Sequence, residues 1–208
     1  MPIRILFISL ALLCGCFAPG AFAQTRLPTI APENYDAEQK AAAAEFLEAR
    51  KAPVFGPFEP LMYSPEVMTR ARSMGDYLRY HSAIGNKLSE LVILVTAREW
   101  TEDFEWSIHA PIALKMGIGK DTVDAIADGR RPEAMPEDEQ VVYDFAEELL
   151  RHKRVSDVTY ARAEKRLGRK GVVDLTAISG YYSMLAMELR VARYPLPADA
   201  KPLPRLPE

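Results

Sequence analysis

Glu102, Glu105 and His109 stand at i, i+3 and i+7 in the stretch T-E-D-F-E-W-S-I-H. On a helix that spacing puts all three on one face, together with Trp106, Ala113 and Met116. The opposite face is no more polar, carrying Phe104, Ile108, Pro111 and Leu114. A helix apolar on most sides is expected to be buried, and a buried carboxylate is costly unless paired or protonated. Glu90 poses the same problem, being the one charge between Leu88 and Ala97. Carboxylates around an imidazole can move protons, because histidine titrates near working pH. They can also ligate a metal, but the helical-bundle di-iron pattern needs Glu-x-x-His twice, and this region lacks it.

Each group also has a plain structural reading. A first-turn acid such as Glu90 gains about 0.3–1 kcal/mol from the helix dipole. Glu105 and His109 at i, i+4 fit a helical ion pair worth about 0.2–0.5 kcal/mol. Glu102 fits an exposed first-turn acid. Pro111 deprives the Ser107 carbonyl of its helical partner, so a kink is expected just past His109.

The elements that position these groups all read as helices, about eight of them, with no convincing strand. Residues 36–51 form one by propensity. An irregular crossing with three prolines and three aromatics follows, A-P-V-F-G-P-F-E-P-L-M-Y. Ser64-Pro65-Glu66 starts the next helix, running to about Ser82. Asn86 is the expected cap of the Glu90 helix, and the next helix ends at Gly117. A short helix closes at Gly129, a long one runs from Pro136 to about His152, and Ser156 caps another that stops at Gly168. The last ends before Pro195. L-S-E-L-V-I-L-V-T-A (88–97) faintly echoes V-V-D-L-T-A-I-S-G-Y (172–181), with Glu90 against Asp174. The Pro-rich tail, 194–208, cannot be regular helix and is expected to be disordered or to lie on a neighbouring subunit.

Residues 1–23 read as a secretory signal peptide, with Arg4, an apolar core from Ile5 to Leu13 and Ala21-Phe22-Ala23 before the cleavage site. The apolar run is short for a membrane span, which needs about 20 residues. The rival is lipoprotein processing at Cys16. Export to the periplasm or outside the cell is the expectation. Cleavage removes one positive charge, taking the formal net charge from −3 to −4 (−3 − 1). That acidity argues against a nucleic-acid partner. Both cysteines, Cys14 and Cys16, fall in the leader, so the mature chain would have no disulfide or thiolate chemistry. A lead and first helix (24–54), a helical domain (55–193) and the tail complete the expected organisation.

The runs E-L-V-I-L-V-T-A-R-E-W, E-W-S-I-H-A-P-I-A-L-K-M-G-I and I-A-D-G resemble the carboxymuconolactone decarboxylase family, in the superfamily of the alkyl-hydroperoxidase D proteins. The likeness covers most of 55–192, including G-P-F-E-P-L-M-Y-S-P-E-V and G-V-V-D-L-T-A-I-S-G-Y-Y. It implies an all-α single-domain bundle, usually a homotrimer or hexamer, with its site between helices near a subunit interface. The peroxidase branch carries Glu, then Cys-x-x-Cys-x-x-x-His. Here the same spacing reads Glu90, then Glu102-x-x-Glu105-x-x-x-His109. The decarboxylase branch works without metal or cofactor on a small carboxylated lactone. By resemblance, His109 is the general acid, Glu105 fixes its tautomer or shares its proton, and Glu90 orients the ring. Arg98 would hold a substrate carboxylate, with Glu102 beside it. Trp106, Phe58 and Tyr63 would wall the pocket, or else be core aromatics. The rival functions are a non-catalytic small-acid-binding or assembly protein, and a carboxylate–histidine metal site.

Overall fold

A computed structural model describes residues 25–206; the expected leader and both cysteines lie outside them. Among the described residues, a 3-10 turn at Pro32–Asn34 leads into eight α-helices: α1 (Ala37–Arg50), α2 (Phe58–Leu61), α3 (Pro65–Tyr80), α4 (Gly85–Trp100), α5 (Asp103–Lys115), α6 (Lys120–Ala127), α7 (Glu137–His152) and α8 (Asp157–Ala192). There is no strand among the described residues. The fold is therefore the all-α bundle that the sequence predicts.

Local chemistry sets some of the helix ends. Asp36 and Gln39 form a reciprocal capping box at the start of α1. Ser156 accepts from the Thr159 N–H to open α8. Gly168 breaks α8 with φ 70° and ψ 170°, a left-handed conformation suited to glycine. Asn86 is not a cap, because α4 begins one residue before it, at Gly85. That start also places Glu90 beyond the first turn, so the dipole does not account for it.

Helix α4 is the axis of the bundle. Every residue from Leu88 to Arg98 is buried, and α4 packs against α5, α7 and α8, with α3 and α6 outside. Such a run stays helical while apolar all round because neighbours cover every side. An ion pair between half-exposed Lys87 and buried Glu139, 2.6 Å, ties α4 to α7.

Helix α5 behaves differently from expectation. Glu105, His109 and Ala113 form its buried stripe, while Ile108, Leu114 and Met116 are exposed at 41%, 42% and 42%. The ionisable groups point inward and much of the apolar surface points out. The burial of Glu105 and His109 is the one their spacing predicts; the exposure of the opposite apolar face is what departs from a helix covered on most sides.

The tail also departs from expectation, lying on its own chain. Leu203 is buried, and its N–H donates to Asp103 Oδ1 at 2.9 Å. Arg205 grips both Asp103 oxygens, and Pro204 accepts from Arg98 Nη1 at 2.7 Å. The lead is anchored as well, Arg26 N–H donating to the Ala192 carbonyl at 2.7 Å. In Asp103, burial raises the carboxyl pKa, but the Arg205 and Leu203 hydrogen bonds outweigh it and hold the group below the usual range.

Candidate active site

His109 projects from the buried stripe of α5 into the gap between α3, α4 and α8. Its Nδ1 lies 2.6 Å from Glu90 Oε2, and its Nε2 lies 3.2 Å from Glu105 Oε2. One imidazole thus bridges carboxylates from two helices. Glu90 Oε1 accepts from Arg79 Nη2 at 3.1 Å, extending the chain to α3. All three members of the trio are buried, each 5% or less exposed. Tyr182, from α8, meets the imidazole edge to face at 5.2 Å, and Tyr181 packs on Tyr182 at 5.3 Å. Gly75 lets α3 close on α8, since a Cβ there would overlap the Tyr181 ring.

Burial opposes charge on His109, but hydrogen bonds to Glu105 and Glu90 outweigh it and raise the imidazole pKa. Burial also opposes charge on Glu90; there the His109 and Arg79 contacts win and lower it. The two acids therefore favour the charged form of the imidazole between them. Burial pushes the Tyr182 phenol well up, so it stays protonated.

Beside the trio lies a small cavity with about 80 Å³ open to the centres of water-sized molecules. Glu105 and His109 line it, together with Phe55, Phe58, Phe104 and Ile108. Arg50 and Arg79 complete one part of the wall. Glu105 Oε1 is buried without a hydrogen-bond partner among the described residues, which leaves that carboxylate with unused accepting capacity next to the cavity. Both imidazole nitrogens face carboxylates, an arrangement suited to carrying protons.

The structure brings together Glu90, Glu105, His109 and Phe58. The other expected pocket residues stand elsewhere. Arg98 donates to the carbonyls of Ala127 and Pro204 and to Thr101 Oγ1, fastening the tail. It lines an open cleft on the far side of the α4–α5 turn, with Glu102, Arg190 and Arg193. Glu102 is the N-cap of α5, accepting from the Glu105 N–H at 2.7 Å, so its carboxylate turns away from His109. Trp106 packs against the core. Tyr63 is 47% exposed and donates to the Pro28 carbonyl. Asp174, the counterpart of Glu90 in the internal echo, accepts from the Ala83 N–H at 2.7 Å and supports the turn into α4.

Arg79 and Arg50 are the residues that sequence reasoning passed over. A signal existed for Arg79: Arg72, Gly75 and Arg79 recur at helical spacing, and Arg72 and Gly75 are on the buried stripe of α3. No local pattern marks Arg50, the last residue of α1, as a cavity residue.

Glu102 carries a separate expectation. Burial, with the Glu105 and Asp103 carboxylates adding to it and the Glu105 N–H opposing, raises its pKa from 4.5 to about 7. An acid whose folded pKa is raised destabilises the fold as pH climbs from the unfolded value through the folded one. Glu102→Gln keeps an accepting oxygen for the cap and removes the charge. It is expected to leave stability near wild type at pH 4 and to stabilise by about 2–4 kcal/mol at pH 8. Urea melts at the two pH values check this; an equal effect at both would contradict it.

No protein-family model matches the chain, and no curated protein does. Among solved structures, the fold is similar to the alkylhydroperoxidase AhpD core of an uncharacterized peroxidase-related protein from Ralstonia eutropha JMP134. That match has 12% identity and a TM-score of 0.67, covering 84% of this chain and 93% of the other. An uncharacterized peroxidase-related protein from Silicibacter sp. TM1040 matches with 14% identity and a TM-score of 0.68, covering 89% and 97%. On that architecture, the chain is an AhpD-like helical bundle holding a buried glutamate–histidine–glutamate cluster beside a cavity.

Proposed function

We propose that this protein is a metal-free acid–base lyase of the carboxymuconolactone decarboxylase kind, acting on a small carboxylated lactone or keto acid. The observation that carries the reading is the His109 imidazole bridging Glu90 and Glu105 at the wall of a largely apolar cavity. In the reaction, the C–C bond to a poorly solvated carboxylate breaks and CO2 leaves. The electron pair moves into a conjugated carbonyl, and the resulting enolate takes a proton at carbon. His109 and Glu105 share that proton and deliver it; Glu90, itself held by Arg79, keeps the imidazole charged and oriented. Solvent then restores the proton, so one proton is consumed for each CO2 released.

Thiol peroxidase activity is not expected. The two positions that would carry the redox cysteines are Glu102 and Glu105, and the chain's cysteines are Cys14 and Cys16. A carboxylate cannot replace a thiolate nucleophile. Export after cleavage at Ala23 and assembly into a trimer or hexamer belong to the same proposal. The outward apolar face of α5, Ile108, Leu114 and Met116, supports assembly.

The test is release of CO2 from a panel of small lactone acids and keto acids. In D2O, deuterium should appear at the carbon that lost the carboxylate. Binding of such acids without any CO2 release would instead identify a non-catalytic small-acid-binding protein.

A further inference from the structure

Arg50 and Arg79 reach the same cavity from different helices, α1 and α3, and each leaves donors unused. Arg50 Nε is paired with Asp76 Oδ1 at 2.5 Å, yet its two terminal nitrogens make no hydrogen bond among the described residues. Arg79 spends Nη2 on Glu90, while its Nε is buried without a partner among the described residues. Both side chains are largely enclosed, at 10% and 16% exposure. Buried donors normally find acceptors, because leaving them empty costs stability. Arg79 Nε is such a donor, and the terminal nitrogens of Arg50, not fully buried, add free N–H groups to the same wall; together they suit an acceptor that is not part of the fold.

Both arginines are also held in place before any ligand arrives. Asp76 fixes Arg50 and Glu90 fixes Arg79. Arg50 stacks near Phe58 at 5.3 Å, and the Tyr80 ring lies between the two cations, 6.0 Å from Arg50 and 5.1 Å from Arg79. Such fixed planar donors match a carboxylate, which guanidinium binds through parallel hydrogen bonds. The remaining walls, Phe55, Phe58 and Phe104, suit a flat unsaturated body, and the cavity's small size limits that body to about one ring.

We infer that Arg50 and Arg79 together form the carboxylate-binding part of this cavity, orienting a small flat acid with its ring toward Glu105 and His109. This rests on the proposed acid–base reading only for the identity of the reacting end. The clamped carboxylate is one that remains on the product. Ion pairing to a departing carboxylate would vanish as CO2 forms, stabilising the ground state more than the transition state and slowing the reaction.

The experiment is calorimetric titration of the full-length protein at neutral pH with 2-furoate and with 2-furamide, which share a ring and differ in charge. Wild type is expected to favour the acid by about tenfold or more. Arg50→Gln should bring that ratio near one, and Arg50→Lys should restore part of it. Equal binding of acid and amide, no binding of either, or an undiminished preference in folded Arg50→Gln would overturn the inference. If Arg50→Gln does not fold, the arginine Nε–Hε signals of wild type decide. Furoate and not furamide should shift those of Arg50 and Arg79, and unmoved signals would overturn it. Both probes are unreactive, so a charge-selective site with no CO2 release from any acid leaves the clamp standing and removes only the lyase reading.

Discussion

His109→Ala should abolish turnover and weaken the fold in the same variant. Loss of a positioned proton donor costs about 10²–10⁴-fold in rate. Removing the imidazolium also leaves Glu90 and Glu105 without the cation between them. Breaking a buried pair in this way costs about 3–5 kcal/mol. His109→Gln separates the two effects, because an amide can still hydrogen-bond one of the carboxylates but cannot deliver a proton. It should be closer to wild type in a urea melt and as inactive as the alanine variant. Retained CO2 release in either variant would end the acid–base account.

The same cluster fixes the pH dependence of stability. His109 has a folded pKa above its reference value of 6.5, so its contribution is complete below that value and fades as pH rises through the folded one. Glu90 has a folded pKa below its reference of 4.5, so its contribution is present above that value and is lost as pH falls through the folded one. The cluster stabilises most between these limits, and His109→Ala should flatten that part of the profile.

Glu90→Leu is the second large expectation. It removes the only hydrogen-bonded partner of Arg79 among the described residues and one of the two acids on His109. A buried guanidinium without its carboxylate should cost about 3–5 kcal/mol. Arg79→Met placed in the same background takes away the stranded charge, so the double variant should recover a large share of that loss. A double-mutant cycle by urea denaturation measures the coupling, expected at about 2–3 kcal/mol. Simple additivity of the two single effects would show that the pair does not support α3 against α4. Activity should fall in Glu90→Leu even where the protein is folded, because the imidazole loses part of what keeps it protonated.

Several features of this protein are written in short stretches of sequence. Asp36 with Gln39, and Ser156, open helices because a side chain and a backbone N–H a few residues apart complete a cap with no help from the rest of the fold. Gly168 interrupts α8 for an equally local reason, its left-handed backbone. The burial of Glu105 and His109 together was legible from their spacing in an apolar helix, and Glu90 from its isolation in an uncharged run.

Partnership was not legible in this way. Glu102 shares a helical face with Glu105 on paper, yet at the N-cap its backbone leaves the helix and its carboxylate folds back onto the Glu105 N–H. Arg98 follows Glu90 at eight residues' distance on the same helix, but the tail meets it first and takes its donors. The cavity's cations come instead from Arg50 and Arg79, on helices that precede α4. Caps and periodicity act over a turn or two of backbone, so one segment suffices to specify them. Which charges meet depends on how α1, α3, α4, α5 and α8 cross, and that is settled only when the core they share is packed.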